Sequence, residues 1–175
     1  MQRRVVITGL GVCAPNGIGL SDFGNALSEG KSGIRFHEEL ERLNFGCQIA
    51  GNPLIESIDL NKYFTNIQLR GLEATGLIYG VIAGKDAWED AGLDIAPPDS
   101  PNWENGVVFG TGMLGVDRFR NAIYAVDEGN VRRSGSTTVI QTMASGISAF
   151  LGGMLGCGNQ VTTNSSACST GTEAL

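Results

Sequence analysis

Apolar and polar positions along this chain change period several times, and each change marks an element. Arg4 to Thr8 (RVVIT) is a short β-branched run that ends in glycines. It predicts a first β-strand, turned at once by Pro15-Asn16-Gly17. Ser21-Asp22 opens a helix of about two turns through Phe23, Ala26 and Leu27, with Ser21 as N-cap and Gly30 as the C′ residue. Lys31 to Pro53 carries no period and reads as irregular. A second helix is expected after Thr65, because Leu77, Ile78, Val81, Ile82 and Trp88 fall on one face. It ends at Ala91-Gly92, and Pro97-Pro98 prevents its resumption.

Val107-Val108-Phe109 predicts a short buried strand, and residues 116–137 read as loop with some helix. Val139 to Leu155 predicts one apolar helix. Met143, Ile147, Phe150, Leu151 and Met154 recur at helical steps among small residues, so this helix should pack tightly on all sides. Gln160 to Asn164 alternates as a strand, and Thr170 to Leu175 favours helix. Strands alternating with helices, one of them buried, imply an α/β domain with a central sheet.

Two segments invite a membrane reading. Gly152 and Gly156 form G-x-x-x-G, but the surrounding apolar run is shorter than the roughly 20 residues a span needs, and it carries Gln141, Ser145 and Ser148. Arg3-Arg4 followed by apolar residues, with Cys13 near a small-residue site, looks like a secretory or lipoprotein leader. The run is broken by Thr8, Gly9 and Gly11, so a strand is the better reading.

Composition narrows the chemistry. With 12 basic and 18 acidic side chains the net charge is −6, which argues against nucleic acid as a partner. Glycine supplies 26 of 175 residues, about twice the usual share and without a period. The length fits one domain, taken here as residues 1–175. The cysteines are Cys13, Cys47, Cys157 and Cys168, and His37 is the one histidine. No ligand spacing for a metal is present, no disulfide scaffold is suggested, and a reducing cytoplasm fits best.

Two glycine-rich turns carry motif-like spacing. Gly110-Thr111-Gly112-Met113-Leu114-Gly115 and Gly9-Leu10-Gly11-Val12-Cys13-Ala14 both resemble a dinucleotide fingerprint after a strand. Neither is followed by the second strand with a terminal acid about 20 residues on, so both read as glycine turns. Gly30-Lys31-Ser32 has the wrong spacing for a phosphate loop. His37, beside Glu38 and Glu39, reads as a surface residue, and Arg70 could be structural or bind an anion.

The chemistry concentrates at Cys168, in Ser165-Ser166-Ala167-Cys168-Ser169-Thr170-Gly171. A thiol between a strand and a helix start faces unpaired backbone N–H groups, which favour the nucleophilic thiolate. Small neighbours allow close backbone approach, so the Cys168 N–H could help stabilise an oxyanion. The alternative is a buried, inert small hydrophobe.

SSACSTG resembles the nucleophile motif of β-ketoacyl-acyl-carrier-protein synthases, the condensing enzymes of fatty-acid synthesis. The resemblance continues in RRVVITGLGVCAPNGIG, LSEGKSGIRF, DAGLD, VVFGTGMLG and TMASGISAFL, in the same order, over essentially the whole chain. It implies the N-terminal half of a thiolase-like fold of five αβαβα layers, a cytoplasmic homodimer, and no cofactor or metal. It implies that Cys168 takes an acyl group from acyl carrier protein and that a malonyl unit is decarboxylated and attacks it. The Cys168 N–H would serve the oxyanion hole, Met143 would line the acyl pocket, and Val161 to Asn164 would pair across the dimer axis.

The family's two condensing histidines, its lysine and the second oxyanion donor fall downstream of the cysteine, outside these residues, and His37 matches neither histidine. Residues 1–175 alone are therefore expected not to condense, with an apolar sheet face unpaired. Relatives usually have Met where this chain has Leu72. Polyene or polyketide condensing enzymes, thiolase-fold enzymes of coenzyme A esters, and non-catalytic partner subunits share parts of the pattern. Such partner subunits typically lack the cysteine.

Overall fold

The computed structural model describes residues 4–175. Its contacts gather into two compact units: the described residues up to Lys62 with Ile82–Gly92, and Tyr63–Val81 with Leu93–Leu175.

In the first unit, Cys13–Ala14 (β1) and Gly17–Ile18 (β2) form an antiparallel hairpin closed by Pro15 and Asn16. The strand expected over Arg4–Thr8 does not form: these residues are unpaired, and Val5, Val6 and Ile7 are exposed. β-propensity expresses packing against neighbouring strands, and none lies beside them among the described residues. Arg3 lies outside the described residues. The segment is anchored just beyond, where a Cβ at Gly9 or Gly11 would sit 2.3 Å from the Ala87 carbonyl oxygen or 1.9 Å from that of Ala83.

Leu20–Ser28 (α1) is capped at Gly19, two residues before the expected cap, so Ser21 lies inside the helix. Its other end is as expected. Gly30 has φ +65°, its N–H donates to Leu27 O, and the Lys31 N–H donates to Ala26 O, a Schellman closure. The stretch expected to be irregular contains a second hairpin, Ile34–Phe36 (β3) against Ile49–Gly51 (β4), with Glu38–Arg42 (α2) between them. Three-residue strands are too short to display a period.

In the second unit the helix expected after Thr65 arrives in two pieces. Asn66–Leu69 (α3) is closed by a Thr65/Gln68 capping box, Gly71 turns the chain at φ +72°, and Thr75–Asp90 (α4) follows, its second half belonging to the first unit. Leu77, Val81 and Ile82 are fully buried, as their spacing predicts. Residues 116–137 hold a full helix, Val116–Asp127 (α5), where mostly loop was expected. Val107–Gly110 (β5) forms as expected, although Val108 is half exposed.

The long apolar helix is broken. Thr138–Thr142 (α6) stops at Met143, whose backbone is extended (φ −79°, ψ 137°), and Gly146–Leu155 (α7) starts afresh. A Cβ at Gly146 would sit 2.3 Å from the Ile140 carbonyl oxygen, so the corner is closed on a glycine. Apolar spacing continues through such a corner without registering it. The break leaves the side chain of Gln141, fully buried, hydrogen-bonded to the backbone ahead of α4. Val161–Asn164 (β6) pairs in parallel with β5, in register Val107↔Val161 to Gly110↔Asn164, and α7 packs on both strands.

Candidate functional site: the Cys168 turn

Two parallel strands end side by side, and the Thr111 N–H donates to Asn164 O at 3.2 Å as they separate. Beyond β6 the chain makes one 3-10 turn, Ala167–Ser169, and then the four-residue helix Thr170–Glu173 (α8). Cys168 is the middle residue of that turn and is exposed. It thus sits where the expected strand meets the expected helix, one turn ahead of the helix proper. A four-residue helix has little macrodipole, so the geometry of the turn, more than a helix field, sets the surroundings of the thiol.

That geometry is strained. Ala167 has φ +51°, a left-handed conformation that costs a non-glycine residue roughly 1–2 kcal/mol. Such strain persists only where neighbours over-determine it, and here they do. Thr170, buried, donates its hydroxyl to Ala167 O at 2.7 Å and accepts the Ser166 N–H at 2.8 Å. Its own carbonyl accepts from Asn164 Nδ2 at 2.8 Å.

Gly110 belongs to this arrangement. A Cβ there would lie 2.4 Å from the Thr170 carbonyl oxygen. Gly110→Ala is expected to force β5 and the Cys168 turn apart, at a cost of about 1–3 kcal/mol. A lowered denaturant midpoint of the intact protein checks this; an unchanged midpoint would show that the contact yields without cost.

The four cysteines divide by environment. Burial, and secondarily Asp86, push the Cys13 thiol up to about 11, and burial also raises Cys157. Cys47 and Cys168 are exposed. With so high a pKa, Cys13 is almost entirely protonated near neutrality, and its thiolate fraction grows about tenfold per pH unit towards 11. Iodoacetamide at pH 8 should therefore label Cys168 and Cys47 well before Cys13, which should catch up only as pH rises. Mass spectrometry of labelled peptides reads the order.

Met143, the other residue expected at the site, lies at the corner between α6 and α7, half exposed, and takes no part in the hydrogen bonds of the Cys168 turn. His37 caps α2 by its backbone, with its N–H on Gln48 O, and Arg70 closes α3 on the surface. The Gly110–Gly115 loop is followed by α5, but the next strand is β6, ending in Asn164 rather than an acid. Asn164, Thr170 and Glu173 were not singled out from the sequence, and their signal was only a local density of short polar side chains. Among the described residues no cluster of three or more His, Cys, Asp or Glu could hold a metal ion, and no helix is long and apolar enough to cross a membrane.

The family model described as β-ketoacyl synthase, N-terminal domain, matches residues 2–175. The 3-oxoacyl-[acyl-carrier-protein] synthase 2 of Vibrio harveyi is 31% identical over 97% of this chain and 40% of its own length. The putative polyketide β-ketoacyl synthase 1 of Streptomyces halstedii is 28% identical over the whole chain and 42% of its own length. The chain thus spans about 40% of the curated relatives it matches. A β-ketoacyl synthase from Burkholderia phymatum STM815 superposes over 98% of this chain and 41% of its own, with TM-score 0.78 at 22% identity. A type II polyketide synthase acyl carrier protein in complex with its ketosynthase matches over 99% and 40%, with TM-score 0.75 at 25% identity. These likenesses place the α/β fold in the thiolase-like class, over its N-terminal portion.

Proposed function

The chain belongs to the β-ketoacyl synthase family, as that family's N-terminal domain, and from this premise we propose that it carries the nucleophile of a 3-oxoacyl-[acyl-carrier-protein] synthase, Cys168. The observation that carries the reading is the exposed thiol on a strained, over-determined turn at the ends of two parallel strands. The Cys168 thiolate attacks the thioester carbonyl of an acyl group borne by acyl carrier protein. The carrier thiolate leaves and takes up a proton, and the acyl group remains on Cys168. A malonyl thioester then loses carbon dioxide. Its carbanion attacks the acyl-cysteine carbonyl, the carbon–sulfur bond breaks, and 3-oxoacyl carrier protein departs as the Cys168 thiolate returns. The Cys168 N–H is one donor to the oxyanion in both steps, and Met143 lines the acyl pocket.

This reading concerns the whole protein, working as a cytoplasmic homodimer without cofactor or metal. Incubating it with acyl carrier protein loaded with an acyl chain should add that acyl mass to the Cys168 peptide. Malonyl carrier protein should then discharge it as 3-oxoacyl product. Acylation from acyl-coenzyme A but not from the carrier protein would replace this reading with a thiolase-type one. The Streptomyces relative favours a second pathway, polyketide synthesis by the same steps, which repeated extension to a poly-keto product would reveal.

A further inference from the structure

Glu173 lies on the surface in α8, five residues after Cys168, where an acidic side chain would ordinarily be solvated and idle. Its contacts are otherwise. The Ser166 hydroxyl donates to Oε2 at 2.6 Å and the Ser169 hydroxyl to Oε1 at 2.9 Å, so both carboxylate oxygens are engaged. The two serines stand on either side of Ala167 and Cys168. The carboxylate therefore closes a ring around the residue with positive φ and the residue with the thiol. The hydroxyl donors of Ser166 and Ser169, in that order of strength, hold the Glu173 carboxyl below the usual carboxylate range, consistent with a charged acceptor.

We infer that Glu173 is a positioning residue for the Cys168 nucleophile, its carboxylate clasping the hydroxyls of Ser166 and Ser169 to hold the turn that presents the thiol. The inference rests on the reading of Cys168 as the nucleophile. Proton counting locates the critical bond. Ser169 has one hydroxyl proton and a second acceptor, Ser166 O at 2.9 Å, so it keeps a partner if the carboxylate is removed. Ser166 has no such alternative in its hydrogen bonds here, and its Oγ reaches across the turn to Glu173. Ser166 also precedes Ala167, the strained residue, so its release relaxes the turn at the point where strain is stored.

The test uses the intact protein, with E173A, E173Q, S166A and the E173A/S166A double variant. Acylation of Cys168 from acyl carrier protein should slow about tenfold in E173A and S166A, the size expected for losing one charge-assisted hydrogen bond. The double variant should be no slower than either single one, because both remove the same bond. E173Q, whose amide carbonyl still accepts one hydroxyl, should recover part of the rate. Amide hydrogen exchange over residues 165–170 should rise in E173A, while Cys13 and Cys157 stay as protected from iodoacetamide as in wild type. Additive losses, or wild-type acylation and exchange in E173A, would overturn the inference. If wild-type Cys168 accepts no acyl group, the nucleophile reading falls, and unchanged exchange in E173A would separately dismiss the clasp.

Discussion

Cys168→Ala should abolish acyl transfer in the intact protein, lowering it by about 10⁴-fold or more, since removal of a covalent nucleophile leaves only binding and oxyanion stabilisation. The fold should not register the change. Cys168 is exposed and its thiol takes part in none of the turn's hydrogen bonds, so the unfolding midpoint should move by no more than about 0.5 kcal/mol. That separation of activity from stability makes the result interpretable. Cys47→Ala is the control, because Cys47 is equally exposed but sits in the other unit, just ahead of β4. Acyl transfer surviving in C168A and lost in C47A would reverse the assignment.

The largest effect on stability is expected at Gln141. Its side chain has no exposure and makes four hydrogen bonds. Oε1 accepts from the N–H groups of Glu73 and Ala74, at 2.8 and 3.1 Å, and Nε2 donates to Gly71 O at 2.7 Å and to Thr137 Oγ1 at 3.0 Å. Those two N–H groups lie immediately ahead of α4, where a helix start leaves donors without partners. Gln141→Leu keeps the volume but leaves three backbone groups without this partner, the Ala74 N–H in the interior and those of Glu73 and Gly71 partly buried, at roughly 1–3 kcal/mol each before relaxation. A net loss of about 3–5 kcal/mol should lower the melting temperature of the intact protein by about 10 °C. Gln141→Glu retains the acceptor and, while protonated, can donate only one of the two bonds, so its stability should fall further as pH rises, the buried carboxyl ionises and that last donor is lost. A melting temperature unchanged in Q141L would mean that water takes over the stranded groups.

Arg118 lies in the same network. It is buried in α5, paired with Glu73 and bonded to Ser134 O and Thr138 Oγ1. Glu73 is thus tied by its backbone to Gln141 and by its side chain to Arg118. Nothing in the spacing of these residues announces the linkage, because they are brought together across 45 and 68 positions of sequence.

Elements with a long or strong period were legible. The buried face of α4, the β5 and β6 strands, the Gly30 and Gly92 stops and the strand-to-turn placement of Cys168 all follow from local pattern. The family resemblance was legible too, because it resides in ordered blocks of residues that need no three-dimensional information. Elements decided by contact were not. Arg4–Thr8 has the composition of a strand but no neighbouring strand among the described residues, β3 and β4 are too short to show alternation, and α6 and α7 share one apolar rhythm across a corner.

The site divides along the same line. Sequence by itself determined that a thiol, the one proposed as the nucleophile, lies at Cys168 between a strand and a helix, since the cysteine, its small neighbours and the flanking propensities are all contiguous. Only the tertiary structure decided how that thiol is held. The positive φ of Ala167, the knot at Thr170, the clasp of Glu173 on two serines, and the exclusion of a side chain at Gly110 by Thr170 are matters of distance. Propensity acts between chain neighbours. Hydrogen bonds and steric contacts act between atoms that folding brings within about 3 Å, whatever their separation along the chain.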